Sequence, residues 1–224
     1  MVKGIIFDFD ETLVNSLETY WQVFRCGAQR LNLPAPKREE LAALLSEGKG
    51  LLEILSQIYP ALDKEAILNC AGKMREAFTD VVIEFPITIK PEVKGVLSSL
   101  KMKGVKIGLV TGRICSSEQM WAELRGLSIA QFFDAVVTGG DQPRKPAPDG
   151  IITCLEKLNL AAEDSVIVGD TKADLIAGKK AGVRVIVLSN EGTVGETFAP
   201  EQPDMVIDNL TQLAKFLEQE AAAE

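Results

Sequence analysis

Two carboxylates one residue apart, Asp8 and Asp10, follow a short apolar run, Gly4 to Phe7, and lead into Glu11, Thr12, Leu13 and Val14. Alone, an Asp-x-Asp pair says little, because surface turns are rich in Asp. Its weight comes from three later segments. Val105 to Val110 runs into Thr111 and Gly112, setting a hydroxyl and backbone N–H groups at a second strand end. Lys145 lies in the stiff turn Arg144-Lys145-Pro146-Ala147-Pro148, after a third apolar run. Ser165 to Val168 runs into Gly169-Asp170-Thr171-Lys172-Ala173-Asp174, a second acidic pair with i, i+4 spacing at a strand-to-helix junction. Open α/β sheets place their ligands at the carboxyl ends of their strands. All these groups are therefore expected on one edge of a sheet.

The chain contains no histidine. That excludes a Ser-His-Asp triad, a His-ligated metal and a phosphohistidine intermediate within this polypeptide. Acid and base work near neutral pH falls to carboxylates, Lys, Cys or Tyr. Cys26, Cys70, Cys115 and Cys154 are far apart with no C-x-x-C spacing, which argues against a zinc site or a disulfide framework. Each is expected to be a small buried hydrophobe. A net charge of −8 repels nucleic acid and anionic membrane on average, so neither is expected as a partner, although a local basic pocket could still hold a small anion. No apolar run approaches the roughly 20 residues of a membrane span. Met1 to Ile6 enters a strand pattern directly, without the marks of a signal peptide, so a cytoplasmic location is expected.

The residues that must be positioned imply the elements that position them. Strands are predicted at Gly4 to Phe7, Val105 to Val110, Ala135 to Val137, Ser165 to Val168, Val183 to Leu188 and Met205 to Ile207. Helical patterns alternate with the later ones, as at Pro91 to Lys103, where Val93, Val96, Leu97 and Leu100 make an apolar face and Gly104 ends it. The predicted fold is α/β, a doubly wound, Rossmann-like parallel sheet with helices on both faces. Ala177, Gly178, Ala181 and Gly182 allow one helix to pack closely on that sheet.

Residues 16–86 read differently. They carry helical periodicity, with Leu17, Trp21, Phe24, Ala28 and Leu31 in one stripe and Ile67, Ala71, Met74 and Phe78 in another. Leucine-rich segments at Leu41 to Leu45 and Leu51 to Tyr59 are separated by Glu47 to Gly50, and Pro34 and Pro36 break the first helix from the second. An all-helical cap over 16–86, inserted into a core of 1–15 and 87–224, is expected. Glu218 to Glu224, charged and Ala-rich, is expected to fray.

In this order, Asp-x-Asp-x-Thr-Leu, a strand ending in Thr111, Lys145 before Pro-x-Pro, and Gly-Asp-x-x-x-Asp resemble the four motifs of the haloacid dehalogenase (HAD) superfamily. The resemblance spans nearly the whole chain. The helical insert is similar to the cap of the subgroup containing phosphoglycolate phosphatase and β-phosphoglucomutase. One departure is Glu11, where many members have Gly, so the backbone there must still be able to turn. The resemblance implies a Mg²⁺-dependent phosphatase acting on a small phosphate monoester through a phosphorylated Asp8. It implies Asp10 as proton donor and acceptor, and Thr111, Gly112 and Lys145 around the phosphoryl group.

Physical reasoning supports a cation. Two carboxylates roughly 4 Å apart repel by about 4 kcal/mol at an effective dielectric near 20, and Asp170 makes the cluster worse. An all-oxygen set shared with a phosphate suits Mg²⁺. Its expected ligands are Asp8, Asp170 and, by resemblance, the backbone carbonyl of Asp10, with Asp174 orienting them from behind. Lys49, between Gly48 and Gly50, is a candidate for contact with the leaving group. Arg113, directly after Gly112, is near the site by sequence, yet is expected at an exposed surface. A phosphomutase of the β-phosphoglucomutase type is the nearest rival activity. A phosphoryl-accepting receiver or a non-catalytic binding protein are rivals from other classes. Neither the substrate nor the oligomeric state is legible.

Overall fold

The computed structural model describes residues 2–189 and 201–222. The chain divides into two compact units, Met1–Val14 with Ile89–Glu224, and Asn15–Thr88.

In the first unit, strand β1 (Gly4–Phe7) is buried along its whole length, as a strand covered on both faces must be. The short strand β2 (Val14–Asn15) follows. The second unit is helical: α1 (Leu17–Arg30), α2 (Arg38–Ser46), α3 (Leu51–Ile58) and α4 (Lys64–Glu84). Strand β3 (Thr88–Ile89) then pairs with β2 in a two-stranded ribbon. The rest alternates: α5 (Val93–Met102), β4 (Lys106–Thr111), α6 (Ser117–Gly126), β5 (Ala135–Thr138), α7 (Asp149–Leu158), β6 (Ser165–Gly169), α8 (Lys172–Ala181), β7 (Arg184–Leu188), β8 (Met205–Ile207) and α9 (Leu213–Ala222).

Six strands form one sheet in the order β5-β4-β1-β6-β7-β8, with every neighbouring pair parallel. From β1 the chain winds outward through β4 and β5, then returns to the other side of β1 for β6, β7 and β8. The winding direction reverses at β1, the position where open α/β sheets leave a crevice at their carboxyl ends. Register fixes which residues share that end. Phe7 lies opposite Leu109 of β4 and Val168 of β6, so Asp8 emerges beside Val110 and Gly169.

One face of the sheet packs on α7 and α8. Ile6, Ile167 and Val185, in lateral register across β1, β6 and β7, share a buried cluster with Ile151, Cys154, Leu158, Leu175 and Ala177. Gly178 lets α8 approach: a Cβ there would lie 2.5 Å from Val185 Cγ2 and 2.7 Å from Ile167 Cγ2. Helices α5 and α9 pack on each other, and α5 also packs on β4.

The helical unit has a core of its own, built on Phe24, Ala28, Leu41, Ile54, Leu55, Ala71 and Met74. Helix α1 lies along α4, and the Thr19 hydroxyl donates to the Phe85 carbonyl at 2.8 Å. The expected break between α1 and α2 falls at Pro34 and Pro36, where the Tyr59 hydroxyl donates to the Pro34 carbonyl.

Cys70 and Cys154 are buried as expected, but Cys26 and Cys115 are only partly so, and all four thiols are free. Helix α9 runs through Ala222; residues 223–224 and the side chains of 218–222 lie outside the described residues, and with them the fraying expected of Glu218 to Glu224.

Candidate active site

Asp8 leaves β1 still bonded to the sheet, its N–H donating to the Val168 carbonyl at 2.9 Å. Its side chain is 9% exposed and meets an ammonium that is 7% exposed, with Lys145 Nζ 2.6 Å from Asp8 Oδ1. Lys145 also donates to Asp174 Oδ1 at 2.5 Å and to the Val110 carbonyl at 2.9 Å. One lysine therefore ties the ends of β1 and β4 to the start of α8. Asp8, Asp170 and Asp174 each offer an oxygen, and these atoms lie within 4.8 Å of one another.

Helix α8 explains how Asp174 comes to be there. Thr171 is its N-cap: the hydroxyl accepts from the Asp174 N–H at 3.2 Å, and Asp174 Oδ2 accepts from the Thr171 N–H at 3.1 Å. This is a capping box with Asp in place of the usual Glu. One carboxylate thus caps its helix with Oδ2 and holds Lys145 with Oδ1. Gly169 makes room for it, since a Cβ there would lie 2.4 Å from Asp174 Cγ. Asp170 is oriented by Thr12, whose hydroxyl donates to Oδ1 at 3.0 Å.

The loop after Asp10 turns at Glu11, which takes a left-handed φ of 54°. The turn expected of a residue that is usually Gly is made here by a glutamate. It is pinned from the β3–α5 connection, where Lys90 Nζ donates to the Glu11 carbonyl at 2.5 Å and the Lys90 N–H donates to the Leu13 carbonyl at 3.0 Å. Thr111, almost wholly buried, ends β4, and its hydroxyl accepts from the Arg113 N–H at 3.2 Å.

The electrostatics are those of an under-compensated cluster. Burial pushes the Asp8 carboxyl up to about 7; Lys145 pulls it down, while Asp174 and Asp10 push it up further. Asp170 is raised well above the ordinary carboxylate range, again by burial first and then by Asp8 and Asp174. Burial disfavours the Lys145 ammonium, yet attraction to Asp174 and Asp8 outweighs it and raises Lys145 above an ordinary lysine. One ammonium, Lys145, bridges two of the three carboxylates, Asp8 and Asp174.

The structure brings together Asp8, Lys145, Asp170 and Asp174, with Thr111 and Gly112 at the end of the neighbouring strand. Lys49 is held within the helical unit, donating to Gln57 Oε1 at 2.9 Å and pairing with Glu47. Arg113 corrects an expectation. It is no surface side chain: at 15% exposure it forks onto Asp10, with Nη2 2.6 Å from Oδ1 and Nε 2.8 Å from Oδ2. Such a two-point pair outweighs the solvation that a surface position would offer. Spacing could not reveal this partner 103 residues away, although the position of Arg113 directly after Thr111-Gly112 marked it as near. Thr12, inside the Asp-x-Asp-x-Thr stretch, was legible as a residue but not as the partner of Asp170.

No helix among the described residues is long and apolar enough to cross a membrane. Residues 5–188 match the family model for haloacid dehalogenase-like hydrolases. Among curated proteins, the chain is 29% identical over 217 residues to a pyrophosphatase PpaX from Bacillus mycoides, covering 96% of this chain and 97% of that protein. It is 26% identical over 235 residues to phosphoglycolate phosphatase from Escherichia coli, covering 96% and 92%. Among solved structures, a haloacid dehalogenase-like family hydrolase from Streptococcus pneumoniae superposes with a TM-score of 0.82 at 21% identity, covering 96% and 98%, a likeness of fold. A match over most of the chain, with the acidic cluster at the strand ends, means that this protein is an enzyme belonging to the haloacid dehalogenase-like hydrolase family.

Proposed function

We propose that the chain is a Mg²⁺-dependent phosphatase that hydrolyses a small phosphate monoester through an aspartyl phosphate on Asp8. The observation that carries this reading is the buried bridge of Lys145 between Asp8 and Asp174, beside Asp170 and at the sheet's carboxyl edge. A carboxylate cannot attack a phosphate dianion unless the charge of both is offset, and this site is built to offset it.

The residues fit a divalent cation. Three carboxyl groups have one ammonium among them, and burial together with their mutual repulsion raises Asp8 and Asp170, a penalty on their charged forms that a divalent cation would offset. Asp8 and Asp170, with the Asp10 carbonyl, would hold Mg²⁺, while Asp174, both of whose oxygens are engaged by Lys145 and Thr171, would orient the set. When bound, the ion supplies charge neutralisation and polarises phosphoryl oxygens.

In the first step an Asp8 oxygen bonds to phosphorus as the ester P–O bond breaks, and Asp10 gives its proton to the departing oxygen. In the second, water attacks phosphorus, its proton passes to Asp10, and the P–O bond to Asp8 breaks to restore the carboxylate. Lys145 keeps Asp8 in place and screens the incoming dianion. Thr111 and the Gly112 N–H bind the spectator oxygens. Positioning of this kind supplies roughly 7–11 kcal/mol of a barrier reduction that exceeds 20 kcal/mol for phosphate monoesters. Lys49, held by Gln57 and Glu47, carries no role in this reading. The four free thiols suit a reducing, cytoplasmic compartment.

A panel of phosphate esters, including phosphoglycolate, pyrophosphate and sugar phosphates, assayed with Mg²⁺ and with chelator, tests the proposal. Magnesium-dependent release of many phosphates per chain is expected, and Asp8→Asn and Asp10→Asn should abolish it while melting cooperatively. Turnover surviving Asp8→Asn overturns the covalent route. Transfer of the phosphoryl group to a sugar, with little release to water, would instead mark a mutase.

A further inference from the structure

The guanidinium of Arg113 ties two other segments to its own. Nε and Nη2 hold both oxygens of Asp10, in the loop after β1; Nη1 donates to both oxygens of Glu123, on α6, at 2.7 and 2.8 Å. Its Cζ lies 4.7 Å from the ring centroid of Phe9, a fully buried side chain. The guanidinium plane is thus fixed by a carboxylate on one edge, a second carboxylate on another and an aromatic face beneath. Nothing in the reaction scheme requires Glu123, yet it occupies the part of the guanidinium that Asp10 leaves.

We propose that Arg113, fixed by Glu123 and Phe9, is the positioning residue for Asp10, holding its carboxylate in the orientation from which it exchanges a proton with the leaving oxygen and with water. The inference rests on the phosphatase reading and assigns Arg113 a place in it. Two features favour positioning over direct contact with substrate. Four hydrogen bonds already direct the guanidinium at protein oxygens, leaving little of it for a phosphate. Asp10, by contrast, is 26% exposed, so its carboxylate stays accessible while the fork fixes its orientation. A latch that keeps Asp10 idle would need the same contacts, but its removal would raise turnover instead of lowering it.

The test compares Arg113→Met, Arg113→Lys and Glu123→Gln with wild type on two esters of opposite demand. An alkyl phosphate needs a proton delivered to its leaving oxygen, whereas nitrophenyl phosphate, whose leaving group is stable as an anion, does not. Arg113→Met should lower kcat/KM, which reports the leaving-group step alone, by roughly 10²-fold for the alkyl ester, the usual cost of misplacing a reacting group by about an ångström. Its KM should stay within about threefold, and the loss on nitrophenyl phosphate should be roughly tenfold smaller. Arg113→Lys, which restores charge without the fork, should recover part of the loss, and Glu123→Gln should show a weaker version of the same split. Equal losses of kcat/KM on both esters would mean a merely structural role, because kcat/KM excludes the attack of water that the two esters share, and unchanged or higher kcat would mean a latch; either overturns the proposal. Crystal structures of wild type and Arg113→Met give a readout independent of turnover. Asp10 should lose its single rotamer, and a carboxylate that stays in place refutes the inference even if no ester is found that the wild type cleaves. Inactivity of the wild type on every ester, with Asp10 released in the variant, would instead refute the phosphatase reading alone.

Discussion

Replacing Lys145 with Met removes the one ammonium that bridges Asp8 and Asp174 while keeping an unbranched side chain one atom shorter. At distances of 2.6 and 2.5 Å and an effective dielectric near 20, each contact represents roughly 6 kcal/mol of gross attraction. Desolvation cancels much of that in the intact site, but removing one partner leaves buried charge uncompensated, at a cost of about 3–5 kcal/mol. For a chain of 224 residues, about 2–4 °C of Tm accompanies each kcal/mol, so a fall of roughly 6–20 °C is expected in chelator. The sign with pH follows from Asp8. Its carboxyl rises from 3.8 unfolded to about 7 folded, so the folded state holds a proton that the unfolded state has released. Stability linked to this group is complete below 3.8 and is lost as pH rises toward 7. Without Lys145 the folded value moves higher, and the loss extends to more alkaline pH. The deficit of the variant should therefore be larger near pH 8 than near pH 5.5. Magnesium should narrow it, because a cluster stripped of its ammonium binds a divalent cation more tightly than the intact one, and each tenfold in the ratio of Mg²⁺ concentration to Kd adds about 1.4 kcal/mol. Thermal melts of both proteins at the two pH values, with chelator and with magnesium, decide the matter. A shift below about 2 °C near pH 8 in chelator, or a deficit greater on the acid side, would refute the electrostatic account.

Two further substitutions probe the backbone around the site. Gly169→Ala puts a methyl 2.4 Å from Asp174 Cγ, so Asp174 must leave its position; turnover should fall by about 10²-fold and stability by more than about 1 kcal/mol, measured by steady-state kinetics and denaturant unfolding. Glu11→Gly should be neutral or stabilising by up to about 1 kcal/mol, because φ of 54° is strained for a side chain and free for glycine, whereas Glu11→Val should destabilise by about 1–2 kcal/mol; urea midpoints measure both.

The parts of the site that follow one another along a strand were legible in the sequence. Asp8, Thr111 and Asp170 each stand at the end of a continuous apolar run, and parallel strands in a common register must bring such ends together. Lys145 followed from the stiff proline turn, and the helical insert from periodicity. Hidden from the sequence were contacts set by how one loop folds over another. Arg113 reads as an ordinary arginine until Asp10, 103 positions earlier, and Glu123, one helix later, are seen to share it. Asp174 read as an orienting group; the sequence could not say that one oxygen caps α8 while the other holds Lys145. The space for it is a missing methyl at Gly169, a requirement visible only from the closeness of the two residues in three dimensions.

The apolar cluster beneath α7 and α8 and the one inside the four-helix unit have no residue in common. Mutations that repack the second therefore need no matching change in the first. Over evolutionary time this decouples two rates of drift: the core of the insert can be repacked while that of the platform stays as it is, and an engineer transplanting an insert from a relative would splice it at the two short strands, Val14–Asn15 and Thr88–Ile89.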